Sequence, residues 1–116
     1  MTWAGLDQRA FPRVSARCDI SISSRGGKAI RAETQNLGAG GVCVILNQKL
    51  EKLSQVYLRL TLDQPKAPIE CDGRIVWMVR SKEPASGKVT FDIGIEFLNL
   101  KPEDQELITT FAQRHA

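Results

Sequence analysis

The chain has 116 residues, 42% hydrophobic and 25% charged, with 16 lysines and arginines against 13 acids for a formal net charge of +3. That length makes one domain with a single core, and the absence of any apolar run of about 18 residues excludes a membrane-spanning helix. The charge suits a small anionic ligand but lacks the concentrated basic stripe that nucleic-acid binding requires, and the N-terminus lacks the apolar stretch of a signal peptide, so a cytoplasmic protein is expected.

In chain order, residues 1–8 read as a flexible arm and the rest as one domain. Arg9 and Arg13 follow just before the first strand, with Phe11-Pro12 between them to anchor and stiffen this stretch. A guanidinium is a planar fork of donors that binds phosphate bidentately and stacks on an aromatic base. Ala16, Cys18, Ile20 and Ile22 then alternate with polar residues, the period of a half-buried strand. Arg25-Gly26-Gly27-Lys28 is a hairpin signal, and Ala29 to Thr34 is a second strand. It leads into the turn Asn36-Leu37-Gly38-Ala39-Gly40-Gly41, where small residues admit a ligand close to the backbone and an amide can read a polar edge.

Val42 to Leu46 is a continuous apolar run, predicting a more buried strand. Val56, Leu58, Leu60 and Leu62 alternate with polar neighbours, and the proline-containing stretch Asp63 to Pro68 is an irregular loop. Ile69, Cys71, Gly73, Ile75 and Trp77 are expected to share one strand face. Ser81 to Lys88 is a polar turn, and Phe91, Ile93, Ile95 and Phe97 mark the last strand. Only the tail is helical: Pro102 suits a first helical turn, Glu103, Asp104 and Glu106 complement its dipole, and Leu107, Ile108 and Phe111 form an apolar face. Six short antiparallel strands at this spacing imply a closed barrel or a sandwich.

Catalytic chemistry has no constellation here. The chain has one histidine, His115, and its three cysteines form no Cys-x-x-Cys pair. Cys18, Cys43 and Cys71 each fall in an apolar run and are predicted to be small core residues rather than metal ligands. Glu70 and Asp72 share a strand face and read as solvated surface. No Gly-Lys-Ser/Thr follows the glycine turn, so it is not the phosphate loop of nucleotide hydrolases.

Taken together, Arg9-Ala10-Phe11-Pro12-Arg13 resembles the Arg-x-x-x-Arg arm of PilZ domains, bacterial receptors for cyclic di-GMP. Asn36 to Gly41 is similar to that family's Asp/Asn-x-Ser-x-x-Gly motif, with Gly38 in place of the serine. Gly73-Arg74-Ile75-Val76-Trp77 and Asp92-Ile93-Gly94-Ile95-Glu96-Phe97 continue the resemblance. It implies a mainly β fold, a six-stranded antiparallel barrel with a C-terminal α-helix, formed by residues 9–116. It also implies a non-enzymatic receptor that binds cyclic di-GMP without metal or other cofactor and signals to an unidentified protein partner. Arg9 and Arg13 are then expected to clamp the phosphates and stack on guanine, Asn36 to accept from a guanine edge, and Gly38 and Gly41 to permit close approach. Losing one neutral hydrogen bond at position 38 costs about 0.5–1.5 kcal/mol, roughly 2- to 13-fold in affinity. Two rivals stand beside this reading: an adaptor of the same fold that acts without ligand, and a barrel binding single-stranded nucleic acid. The second needs exposed aromatic platforms, yet aromatics are only 6% of the chain and most occupy inward positions.

Overall fold

A computed structural model describes residues 17–24, 27–62 and 68–114. The alternating runs become strands β1 (Asp19–Ser24), β2 (Ala29–Leu37), β3 (Gly41–Leu46), β4 (Gln55–Thr61), β5 (Pro68–Lys82) and β6 (Val89–Leu98). These close into an antiparallel barrel in the order β1-β2-β3-β6-β5-β4. β1 makes the closure: Ile22 pairs with Ile30 of β2 on one side and with Leu58 of β4 on the other. Helix α1 (Pro102–Arg114) follows, and its Ile108 and Phe111 join the same buried cluster as the barrel interior. The fold class and the choice of a barrel over a sandwich therefore stand as the resemblance implied.

Period-2 patterning predicts the inward faces well. Cys18, Ile20 and Ile22 are buried, as are Val56, Leu58, Leu60 and Leu62. Gly73 keeps the inward row of β5 narrow, because an added Cβ would lie 2.7 Å from Leu58 Cδ1 and 2.8 Å from Ile95 Cγ2. The apolar run of β3 is buried at Val42, Cys43, Val44 and Leu46, but Ile45 is 43% exposed. It points to the outer face, where it pairs with Asp92.

Three expectations change. Trp77 does not continue the inward row of Ile69, Cys71, Gly73 and Ile75. The register shifts between Ile75 and Trp77, and the bulge brings Trp77 opposite Gly94 on the outer face. The indole lies so close over Gly94 that a Cβ there would sit 2.5 Å from Cε2. Second, the Ser81–Lys88 turn is shorter than its polarity implies. Strands run through Lys82 and from Val89, and the connection is closed by the Glu83 amide donating to the Lys88 carbonyl at 2.8 Å, with Gly87 at a φ of +74°. Third, Pro68 opens β5 opposite Thr61, a first-residue position that costs no ladder bond. Of the predicted glycine hairpin, Arg25 and Gly26 lie outside the described residues, as does the arm 1–8.

Between β6 and α1 the chain is fixed by Asn99, whose φ of +43° redirects it. The Asn99 amide donates to Asp72 Oδ2 at 3.1 Å. Glu70 accepts from the Tyr57 hydroxyl, a bond that pushes the phenol's pKa up. Both carboxylates thus have partners on the outer surface. Among the described residues no helix is long and apolar enough to cross a membrane, and no group of three or more His, Cys, Asp or Glu could hold a metal.

All three cysteines are buried, and none forms a disulfide among the described residues. Burial, reinforced by Asp72 and Asp104, pushes the Cys71 thiol from 9.0 up to about 11. At pH 8 only about one such thiol in a thousand is ionised, and the thiolate is the reactive form. All three should label slowly with iodoacetamide in the native protein and quickly in urea. A raised acid pKa also fixes a sign: its contribution to stability is present below about pH 9 and is lost as pH rises toward about 11. Fast native labelling of all three would contradict the core assignment.

Candidate ligand-binding site

A polar residue at an inward strand position organises the site. Along β2, Ile30 and Ala32 pack against the core, and Thr34 occupies the next inward place, fully buried. Its hydroxyl accepts from the Cys18 amide at 2.9 Å, and its own amide donates to the Cys18 carbonyl at 2.9 Å. Cys18 is thereby clamped to β2 just ahead of β1. Arg17 and Glu33 add a loose exposed ion pair at 3.4 Å, which contributes little. This clamp fixes Cys18 against Thr34, two residues from Asn36, or about 7 Å along the strand.

The register of β2 on β3 shifts between Thr34 and Asn36, then resumes with Asn36 opposite Cys43 and Leu37 opposite Val42. The bulge at Gln35 changes which faces the residues after it present. Leu37 becomes fully buried, while Asn36 stays half-buried at the strand end. Asn36 and Gly41 therefore belong to strands, and the turn is tighter than the six-residue sequence pattern implies. The Gly38 amide donates to the Gly41 carbonyl at 3.1 Å, leaving Ala39 and Gly40 as the tip. The Phe97 amide of β6 donates to the Gly40 carbonyl at 3.0 Å and holds that tip in place. Left-handed backbone among the described residues sits at Leu53, Gly87 and Asn99, not in this turn.

Asn36 carries an anomaly. Its side-chain oxygen is buried and has no hydrogen-bond partner among the described residues. A buried carbonyl left unsatisfied costs about 1–3 kcal/mol. Such a group in a native structure calls for a specific explanation, because most buried polar atoms have a partner.

Of the five predicted site residues, Asn36, Gly38 and Gly41 are brought together on the β2–β3 hairpin, and Arg9 and Arg13 lie outside the described residues. Sequence reading missed Thr34 and its clamp on Cys18. The available signal was a threonine at the inward phase of a strand, two residues before the motif. It also missed Glu96, which pairs with Gly41 and sets a carboxylate beside the turn, with Arg74 opposite it on β5.

The PilZ domain family model matches residues 7–114. No curated protein sequence matches the chain. Among solved structures, the PilZ domain with c-di-GMP of YcgR from Escherichia coli is similar, with a TM-score of 0.75, 15% identity, and coverage of 93% of this chain and 91% of that one. The Bacillus subtilis inhibitor of motility MotI/DgrA gives a TM-score of 0.73 at 22% identity over 91% of this chain, which spans 50% of that protein. The K. pneumonia MrkH–c-di-GMP complex gives a TM-score of 0.68 at 16% identity, covering 84% of this chain and 47% of that one.

The orphaned oxygen predicts the effect of removing it. Asn36→Leu, close in volume and free of the buried acceptor, should leave the unliganded protein as stable as before or stabilise it by up to about 2 kcal/mol in urea unfolding. A loss of more than 1 kcal/mol would mean that the amide holds the hairpin together.

Proposed function

The chain belongs to the PilZ domain family, and from that membership we propose that it is a cytoplasmic receptor for cyclic di-GMP, not an enzyme. The observation that carries the reading is the buried acceptor of Asn36, without a partner among the described residues, beside a turn of small residues. A guanine edge presents N–H donors, and one of them directed at Asn36 Oδ1 satisfies the orphan. Gly38 and Gly41 let the flat ligand approach the backbone. Arg9 and Arg13 supply the phosphate contacts and stack on the guanine faces.

Chain length supports this division of labour. Arg13 lies five positions before Cys18, and Arg9 nine. Extended backbone covers at most about 3.6 Å per residue, so both guanidinium groups can reach the Asn36 turn from that anchor. Ligand binding then orders the arm across the hairpin and changes the surface offered to a protein partner, at some cost in ordering entropy. The chemistry needs no metal or cofactor. The complexes of YcgR and MrkH with c-di-GMP support the ligand class.

Charge-assisted contacts are worth about 1.5–3 kcal/mol each, so Arg9→Ala and Arg13→Ala should each weaken cyclic di-GMP binding by more than tenfold in calorimetric titration, with the unliganded melting point unchanged. Unchanged affinity in both variants removes the arm from the site.

Gly38→Ser restores the hydroxyl of the family motif. No left-handed backbone opposes it, so affinity should rise by up to roughly tenfold. Gly38 is buried, and any crowding by the new side chain is read separately as a lower melting point. GTP and linear diguanylate serve as controls. Should the native protein and Gly38→Ser both stay folded and both fail to bind at high micromolar ligand, the receptor reading is wrong and the ligand-independent adaptor replaces it.

A further inference from the structure

Barrel closure gives each strand two neighbours, but among the described residues part of β5 is paired on one side only. β4 covers β5 as far as Arg74, and the loop before β4 extends the cover by one residue: the Leu53 amide donates to the Ile75 carbonyl at 2.7 Å, and the Ile75 amide to that of Ser54 at 3.0 Å. There the cover stops. Leu53 has a φ of +67°, a left-handed conformation that leucine rarely adopts, and it turns the chain away from β5. Beyond this point β5 continues to Lys82 with β6 as its neighbour, and Met78 to Lys82 pair with β6 alone among the described residues. Five residues of strand, about 16 Å, thus present one open row of backbone donors and acceptors.

The side chains along this edge are sorted by face. Val79, 53% exposed, lies on the outer face, and Leu53 at the start of the edge is 67% exposed. Arg80 and Lys82 project from the opposite face, both exposed and neither in an ion pair among the described residues. Charges of one sign guard an open edge against indiscriminate pairing. They also leave one class of strand that fits it.

We propose that the Met78–Lys82 edge of β5 is a strand-addition site for an extended segment of a partner protein whose residues alternate apolar and acidic. Backbone pairing supplies the affinity, apolar residues cover Val79, and acidic residues stand opposite Arg80 and Lys82. A second copy of this chain is a poor occupant, because antiparallel self-pairing sets these cations against their own copies. The chain's own N-terminal segment is also a poor one, since residues 1–16 hold Arg9 and Arg13 against Asp7 alone. The site requires no cyclic di-GMP, so its test is independent of the receptor reading.

The test is an amide NMR titration of the full chain with a capped hexapeptide alternating valine and glutamate, and with its valine–lysine counterpart. The glutamate peptide should shift Met78 to Lys82 and slow their amide exchange, while the lysine peptide should not. Two cross-strand charge pairs are worth about 2- to 30-fold, so Arg80→Glu with Lys82→Glu should weaken the first peptide by that factor and bring in the second. Exposure of both positions makes the double variant a surface change that preserves the fold. Four results overturn the proposal: no response at these residues at millimolar glutamate peptide, an equal response to both peptides, shifts that follow protein concentration without peptide, or strong exchange protection of these amides in the free chain. The third identifies a second copy as occupant, and the fourth the chain itself.

Discussion

β1 is hydrogen-bonded to β2 along one side and to β4 along the other, and the rest of the molecule depends on that double pairing. Without it the sheet has two long edges, and its inward row from Ile20 to Leu62 faces water. With it, a chain of modest length encloses one interior that Ile108 and Phe111 of the helix help to complete. Closure also has a local consequence. The β1–β2 ladder is extended by Thr34 and Cys18, so Cys18 is fixed two strand positions from Asn36. A requirement of the fold thereby sets the geometry of the site.

Two bulges carry the departures from regular patterning. The one at Gln35 buries Leu37 and leaves Asn36 at the strand end with an unsatisfied oxygen. The one at Val76 moves Trp77 off the inward row and lays its ring over Gly94. The residues Gly73 to Trp77 and Asp92 to Phe97, which carried part of the family resemblance, therefore act chiefly through packing. Gly73 makes room for Leu58 and Ile95, and Gly94 makes room for the indole. The energetic scale permits such a site. Burying one large apolar side chain contributes about 1.5–3 kcal/mol, so a few core residues offset the cost of one orphaned amide oxygen.

β6 links the two surfaces of interest. Near its C-terminal end the Phe97 amide holds the tip of the glycine turn, and its N-terminal end pairs with the exposed reach of β5. Eight residues separate Val89 from Phe97, about 27 Å of strand. The glycine turn and the open β5 edge thus lie at opposite ends of β6, with no shared residue.

The sequence by itself determined the inward faces of most strands, the helix, and the burial of the cysteines. Alternation and amphipathicity are local consequences of which side chains leave water, and they remain readable residue by residue. It also located Asn36, Gly38 and Gly41 through a short contiguous motif. Tertiary structure alone decided the rest. Whether six strands form a barrel or a sandwich depends on β1 meeting β4, a pairing between residues more than thirty positions apart. Bulge positions depend on the neighbouring strand's register, which is why Trp77 and the limits of the glycine turn were misplaced. The Thr34 clamp, the orphaned oxygen of Asn36 and the uncovered edge of β5 each require knowing what lies on the other side of a residue. Those are properties of neighbours in space, and the order of residues along the chain does not record them.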